Sequence, residues 1–154
     1  MVSLRRVIRE AQPGDAADLL RLIHGLAEYE REPAAVETTE DALRSALAAS
    51  EPRVHAHVAE VDGRIVGMAL WFLTYSTWTG TPTLYMEDLF VEPGLRRGGV
   101  GRELMAALAA EAEGRGCARM EWSVLEWNEP AIAFYRSFGA NPLTEWRTWR
   151  MNLA

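Results

Sequence analysis

The sequence predicts an α/β fold, a mixed sheet covered by helices, on three observations. Two β-rich runs flank Asp62-Gly63, a two-residue turn of the kind that closes a tight antiparallel hairpin. A third apolar run ends in three glycines within four residues, Gly98, Gly99 and Gly101, then passes into an alanine-rich helical stretch and a further short apolar run. Strand, tight turn, helix, strand is a βαβ unit, and its strands run parallel. Ahead of the hairpin, Ala16, Leu19, Leu20, Ile23, Leu26 and Ala27 recur at helical spacing and predict an amphipathic helix.

The elements follow in order. Residues 6–10 read as a first strand, broken by Pro13-Gly14, and Asp15 stands at the N-cap of the first helix. That helix ends in the polar run Glu28-Tyr29-Glu30-Arg31-Glu32 and stops at Pro33. A second helix begins at Thr38/Thr39 and runs through Leu43 and Leu47 to Ser50. Residues 54–61 and 64–73 form the hairpin. The polar tip Tyr75-Ser76-Thr77-Trp78-Thr79-Gly80 leads to the third strand, 83–91. The alanine-rich helix covers 99–113 and ends at Gly114-x-Gly116; residues 119–125 form another strand. Asn128-Glu129-Pro130 opens a short helix reaching Phe138, with Gly139 as its C′ residue. Aromatic-rich residues 143–151 predict a final strand or strands. No repeat or linker divides the chain, so residues 1–154 are read as one domain.

Composition bounds the function. A chain of 154 residues, 49% hydrophobic and 25% charged, can bury its own core. A formal charge of −6 lacks the basic footprint of a nucleic-acid binder and suits a cationic partner. All sixteen basic residues are arginines, a composition bias. Cys117, the lone cysteine, excludes an internal disulfide or a multi-thiolate metal site, and its place before a strand suggests packing. No apolar run approaches the ~18 residues of a membrane span, and residues 1–6 lack a signal core, so a cytoplasmic protein is expected. His55 and His57 share one strand face without a third ligand, so no metal is expected. His24, on the first helix among apolar neighbours, reads as a residue at the boundary of the core. Trp71, Trp122, Trp127, Trp146 and Trp149 are expected in the core or an interface.

The chemistry concentrates in the glycine turn. A strand that delivers the chain to Gly98-Gly99-Val100-Gly101 and starts a helix at once aims unpaired N–H groups and the positive helix end at one spot. That is an anion site, to which Arg96, Arg97 and Arg102 add charge. The alternative is a plain glycine-rich strand-to-helix turn. A Walker A loop needs a lysine, and the chain has none; a G-x-G-x-x-G fingerprint fails because Leu104 stands where its third glycine belongs.

Arg96-x-x-Gly99-x-Gly101, after a strand ending in Val91, resembles the pyrophosphate loop of the GNAT acetyltransferases. The chain is similar to the spermidine/spermine N1-acetyltransferase subgroup in Met86-Glu87-Asp88-Leu89-Phe90-Val91, Glu126-Trp127-Asn128-Glu129-Pro130, Phe134-Tyr135 and Gly139-Ala140. It is also similar in Leu20-Arg21-Leu22-Ile23 and Leu26-Ala27-x-Tyr29-Glu30, so the resemblance covers nearly the whole chain. It implies the GNAT fold: a twisted mixed sheet flanked by about four helices, with two central parallel strands splayed to admit acetyl-CoA. It implies that the backbone of Leu89, Phe90 and Val91 pairs with the pantetheine arm. Arg96 supplies charge; Arg97, Gly98, Gly99, Val100, Gly101 and Arg102 wrap the pyrophosphate; Asn128 and Pro130 flank the thiol end. An N–H near Leu89 would stabilise the oxyanion of the transition state, a contribution of about 3 kcal/mol.

Acetyl transfer to an amine needs a base for the ammonium and an acid for the leaving thiolate. By the resemblance these are Glu87, directly or through water, and Tyr135, a phenol still protonated at neutral pH. On the residues alone, Glu87 beside Asp88 reads as a solvated or salt-bridged pair, and Tyr135 could equally be a core aromatic. The resemblance makes Tyr29, Glu30, Glu87, Asp88, Trp78, Trp149 and Arg147 the substrate-binding candidates. Two departures bear on the acceptor: Ser76 replaces an aspartate of the polyamine enzymes, and Arg147 stands where they carry an acid. Tyr75-Ser76-Thr77-Trp78 is more like the thialysine Nε-acetyltransferases, whose substrate carries a carboxylate that Arg147 could pair with; solvent exposure is the alternative for Arg147. The expected reaction is direct transfer in a ternary complex to a small amino-acid-like amine, without a metal. Polyamines, a protein N-terminus or lysine, and a non-catalytic acetyl-CoA sensor are the alternatives. The resemblance also implies a homodimer, with the aromatic C-terminal segment as an interface.

Overall fold

Five strands form one sheet in the order β1-β2-β3-β4-β5 in the computed structural model, which describes residues 4–154. β1 (Arg6–Glu10), β2 (His55–Val61), β3 (Arg64–Ser76) and β4 (Thr81–Val91) are antiparallel neighbours; β5 (Met120–Trp122) joins β4 in parallel. The sheet is therefore mixed, as the hairpin and the βαβ unit predict. Asp62 and Gly63 both take left-handed φ, 48° and 83°, which matches the twist of the flanking strands. The Asp62 carboxylate accepts from the Arg5 N–H at 2.9 Å, joining the turn to the start of β1.

Both sheet faces are covered, so β3 reads as the unbroken buried run 65–71 rather than an alternation. On one face Met68, Leu70, Val58 and Phe90 pack with Leu19 and Leu22 of α1 (Ala16–Tyr29) and Leu43 of α2 (Glu40–Ala48). On the other, Gly67 faces Val100 and Leu104 of α3 (Val100–Gly114), whose Leu104 and Leu108 are wholly buried. Each such leucine contributes about 1.5–3 kcal/mol of apolar burial.

The helix ends follow local chemistry. Thr39 caps α2, its hydroxyl accepting from the Ala42 N–H at 3.1 Å. α3 ends in a Schellman motif: the Cys117 N–H donates to the Ala112 carbonyl and Gly116 is left-handed. Asp15 does occupy the N-cap of α1, but makes no side-chain cap bond to it. Its carboxylate instead accepts from the Gln12 N–H and twice from Arg9, which also reaches Glu60. Arg9's hydrogen bond holds the Asp15 carboxyl below the usual carboxylate range, against the effect of burial.

Residues 124–154 form a separate, smaller unit. It contains α4 (Glu129–Arg136), begun by Asn128 and Pro130 as the sequence suggests. Two strand expectations are corrected. The strand expected over 119–125 is only Met120–Trp122, and no strand forms over 143–151 among the described residues. Aromatic β-propensity reflects packing on a sheet, and these residues lie in no ladder. Leu143, Trp146, Trp149, Met151 and Leu153 are all well exposed. Trp71 is fully buried, the core role expected of it, whereas His24 lies exposed on α1. None of the described helices is long and apolar enough to cross a membrane.

Candidate active site

The site begins with an irregularity in β4. Leu70 pairs with Asp88 and Trp71 with Met86, so Glu87 is the extra residue of a β-bulge. A bulge bends its strand and re-aims a side chain, and Glu87 is exposed between the buried Met86 and the half-buried Asp88. The parallel ladder stops at the same place: its three pairs run from Leu84↔Met120 to Met86↔Trp122, while β4 continues to Val91. The bulge thus coincides with the end of β4–β5 pairing. Beyond it lies the stretch Leu89-Phe90-Val91, which the family resemblance implies would pair with the pantetheine arm.

The glycine turn follows. Val100 opens α3, with Gly99 as N-cap at φ 87°, a left-handed conformation that costs glycine little. Arg97 is also left-handed, at φ 66°. Arg96, Arg97, Gly98, Gly99 and Arg102 are exposed, and the helix begins at a buried Val100. Arg96 is braced rather than extended: its Nε donates to the Val91 carbonyl at 2.9 Å, and its guanidinium lies over the Tyr29 and Phe90 rings, 4.8 and 5.3 Å from their centroids. Arg6 of β1 reaches the turn as well. Its Nη1 donates to the Gly98 carbonyl at 2.8 Å and to Glu103 Oε1 at 2.7 Å. Sequence reasoning missed this contact because 92 residues separate Arg6 from Gly98.

Three carboxylates meet beside the bulge. Asp88 is pushed up to about 6, first by burial and then by the negative charges of Glu87 and Glu30. Burial also raises the Glu30 carboxyl above its usual value. Tyr29, next to Glu30 at the end of α1, packs under Arg96. Perturbed carboxyls grouped in this way are characteristic of functional sites, and they favour a cation as occupant. Trp78 stands apart from this group. It lies in the turn between β3 and β4 and is 87% exposed; six residues of strand, roughly 20 Å, separate Thr81 from Glu87.

In the 124–154 unit, Asn128 is buried and its Oδ1 accepts from the Ala131 N–H at 3.4 Å; Pro130 lies in the first turn of α4. Tyr135 is half-buried on α4, its ring edge-on to Phe134 at 5.3 Å. Arg147 and Trp149 are exposed.

The histidines serve a different cluster. Trp71 Nε1 donates to His57 Nδ1 at 3.1 Å, which leaves the proton of the neutral ring on Nε2. His55 stacks on Trp71 at 4.3 Å, and Arg115 lies over the same indole. A cavity of about 640 Å³ beside His57, Glu111 and Arg115 lies towards the C-terminal end of α3 and includes none of the predicted site residues. Among the described residues no group of three or more His, Cys, Asp or Glu side chains could hold a metal ion.

The family comparison bears directly on this arrangement. Residues 18–140 match the model of the acetyltransferase (GNAT) family. The chain is 38% identical over 151 residues to thialysine N-epsilon-acetyltransferase of Sus scrofa, covering 93% of this chain and 88% of that protein. Among solved structures it is similar to an integron cassette protein from the mobile metagenome of V. cholerae, with TM-score 0.80, 25% identity, and coverage of 97% and 94% of the two chains. An aminoglycoside N-acetyltransferase solved in complex with CoA shares the fold, with TM-score 0.79 at 20% identity over 98% of this chain and 97% of that one. The short parallel ladder, the helix-opening glycine turn and these matches together show that the chain belongs to the GNAT acetyltransferase family and transfers acetyl to a small-molecule amine.

Proposed function

We propose that this enzyme acetylates the side-chain amine of an amino-acid-like substrate of the thialysine type, with acetyl-CoA as donor. The observation that carries the reading is the 38% identity to a thialysine acetyltransferase across almost the whole chain, joined to the Glu30, Glu87 and Asp88 cluster. An ammonium entering that cluster would offset the burial and the repulsion from Glu87 and Glu30 that together raise Asp88. Arg147 would pair with the substrate carboxylate.

The residues fit the donor. Beyond Met86, β4 continues without its β5 ladder, and Leu89, Phe90 and Val91 would pair there with an extended amide-bearing arm. The turn from Arg97 to Arg102 would hold the pyrophosphate. Arg96, fixed on Val91 and two rings, would add charge from a set position. Asn128 and Pro130 would flank the thiol end. Glu87 would take the ammonium proton, directly or through water, and Tyr135 would protonate the leaving thiolate.

The family model runs continuously over residues 18–140, which supports treating the chain as one catalytic domain. We assign it a homodimer, supported by the exposed Trp146, Trp149, Met151 and Leu153. Trp78, at the far end of β4 from Glu87, would join an acceptor pocket across such a dimer. The test is mass-spectrometric detection of product from a panel of thialysine, lysine, other amino acids, spermidine, putrescine and a short peptide. Fastest acetylation of a carboxylated amine is expected; faster turnover of spermidine would reject the assignment.

A further inference from the structure

We infer that Arg6 is a positioning residue for the pyrophosphate of acetyl-CoA, an inference that rests on the assignment of the Arg97–Arg102 turn above. A trans peptide holds the carbonyl of one residue and the N–H of the next in opposite directions. Arg6 Nη1 fixes the Gly98 carbonyl at 2.8 Å, so the Gly99 N–H is held pointing away from Arg6. Ideal Cβ positions on Gly98 and Gly99 lie 3.6 Å from Arg6 Nη2 and Nη1, so the guanidinium rests against the backbone it orients.

The same nitrogen answers an electrostatic problem. Glu103 lies in the first turn of α3, where a carboxylate suits the helix dipole but opposes a pyrophosphate at the same end. Arg6 Nη1 sits 2.7 Å from Glu103 Oε1 and neutralises that charge. Both partners of this pair are substantially solvent-exposed, at 31% and 46%, so its removal should disturb overall stability little. Arg6 therefore acts on the cofactor through Gly98 and Glu103 rather than on the reacting atoms.

The experiment compares wild type, Arg6→Ala and Arg6→Ala/Glu103→Gln. CoA affinity is read by calorimetry, thermal stability by melting, and kcat/KM with acetyl-CoA and with acetyl-pantetheine, which lacks the pyrophosphate. Arg6→Ala should weaken CoA binding about tenfold, the size expected for a lost charge-assisted hydrogen bond. Its kcat/KM should fall comparably with acetyl-CoA and stay within about twofold with acetyl-pantetheine. Adding Glu103→Gln should recover part of the CoA affinity. CoA affinity unchanged in Arg6→Ala, or equal losses with both donors, would overturn the inference. A wild type that does not prefer acetyl-CoA over acetyl-pantetheine would overturn the pyrophosphate assignment itself.

Discussion

Replacing Asp88 by asparagine should make the protein more stable at neutral pH while weakening its hold on the amine. Asp88 titrates at about 6 rather than 3.8 because it is largely buried beside Glu87 and Glu30. A displacement of roughly two units, at about 1.36 kcal/mol each, penalises the ionised form by about 3 kcal/mol; residual solvent screening reduces this to about 2 kcal/mol. The direction follows from linkage. Between pH 4 and 6 the folded chain holds a proton that the unfolded chain has released, so stability falls as pH rises through this window. Asparagine keeps the shape and removes the charge. Its melting advantage should therefore be near zero at pH 4, grow to pH 6, and level off at about 4–8 °C by pH 7.5. Burial of His55 and His57 lowers both of their pKa values, which costs stability below about pH 6.5. Both histidines are present in each protein, so their contribution cancels in the difference curve. A variant no more stable than wild type at pH 7.5, or a constant offset from pH 4 to 7.5, would refute the reasoning.

Two further outcomes are expected. Tyr135→Phe should lower kcat by about 10²–10⁴-fold while leaving CoA affinity within twofold, measured by steady-state kinetics and calorimetry; unchanged kcat would remove Tyr135 as the acid. Gly25→Ala should destabilise the protein by about 1 kcal/mol in chemical denaturation, although alanine is the better helix former. Its Cβ would stand 2.9 Å from the Phe90 ring, which is buried and held under Arg96, so overpacking outweighs propensity. A gain in stability would contradict that balance.

What was legible in the sequence was periodic or punctuated. The hairpin follows from Asp62-Gly63, the capping of α2 from Thr39, and the end of α3 from Gly116. The glycine turn marks the start of α3, which opens at Val100 after Gly99. The bulge at Glu87 was not read, although a signal existed: two adjacent acids interrupt an otherwise apolar strand, a local conflict typical of functional sites. Arg6 left no such trace. A strand residue and a loop carbonyl 92 positions away meet only through the path of the sheet. The C-terminal aromatic run misled because tryptophan and leucine fit a strand only when a neighbouring strand is available. Asp15 was placed correctly but bonded differently, since Arg9 outcompetes the helix N–H groups for its oxygens.

The arginine-only composition takes on a chemical meaning once the ion pairs are known. Arg9 joins Asp15 and Glu60, Arg21 and Arg64 both hold Glu92, and Arg6 holds Glu103. An amine acceptor attacks only as the free base, so such chemistry gains from alkaline solution. Lysine ammoniums discharge near pH 10.4 and, as free amines, are themselves open to acylation by a thioester; guanidiniums stay charged above pH 12. These arginine tethers are thus inert towards the reagent the enzyme handles, and they keep their charge across the pH range in which its acceptor becomes most nucleophilic.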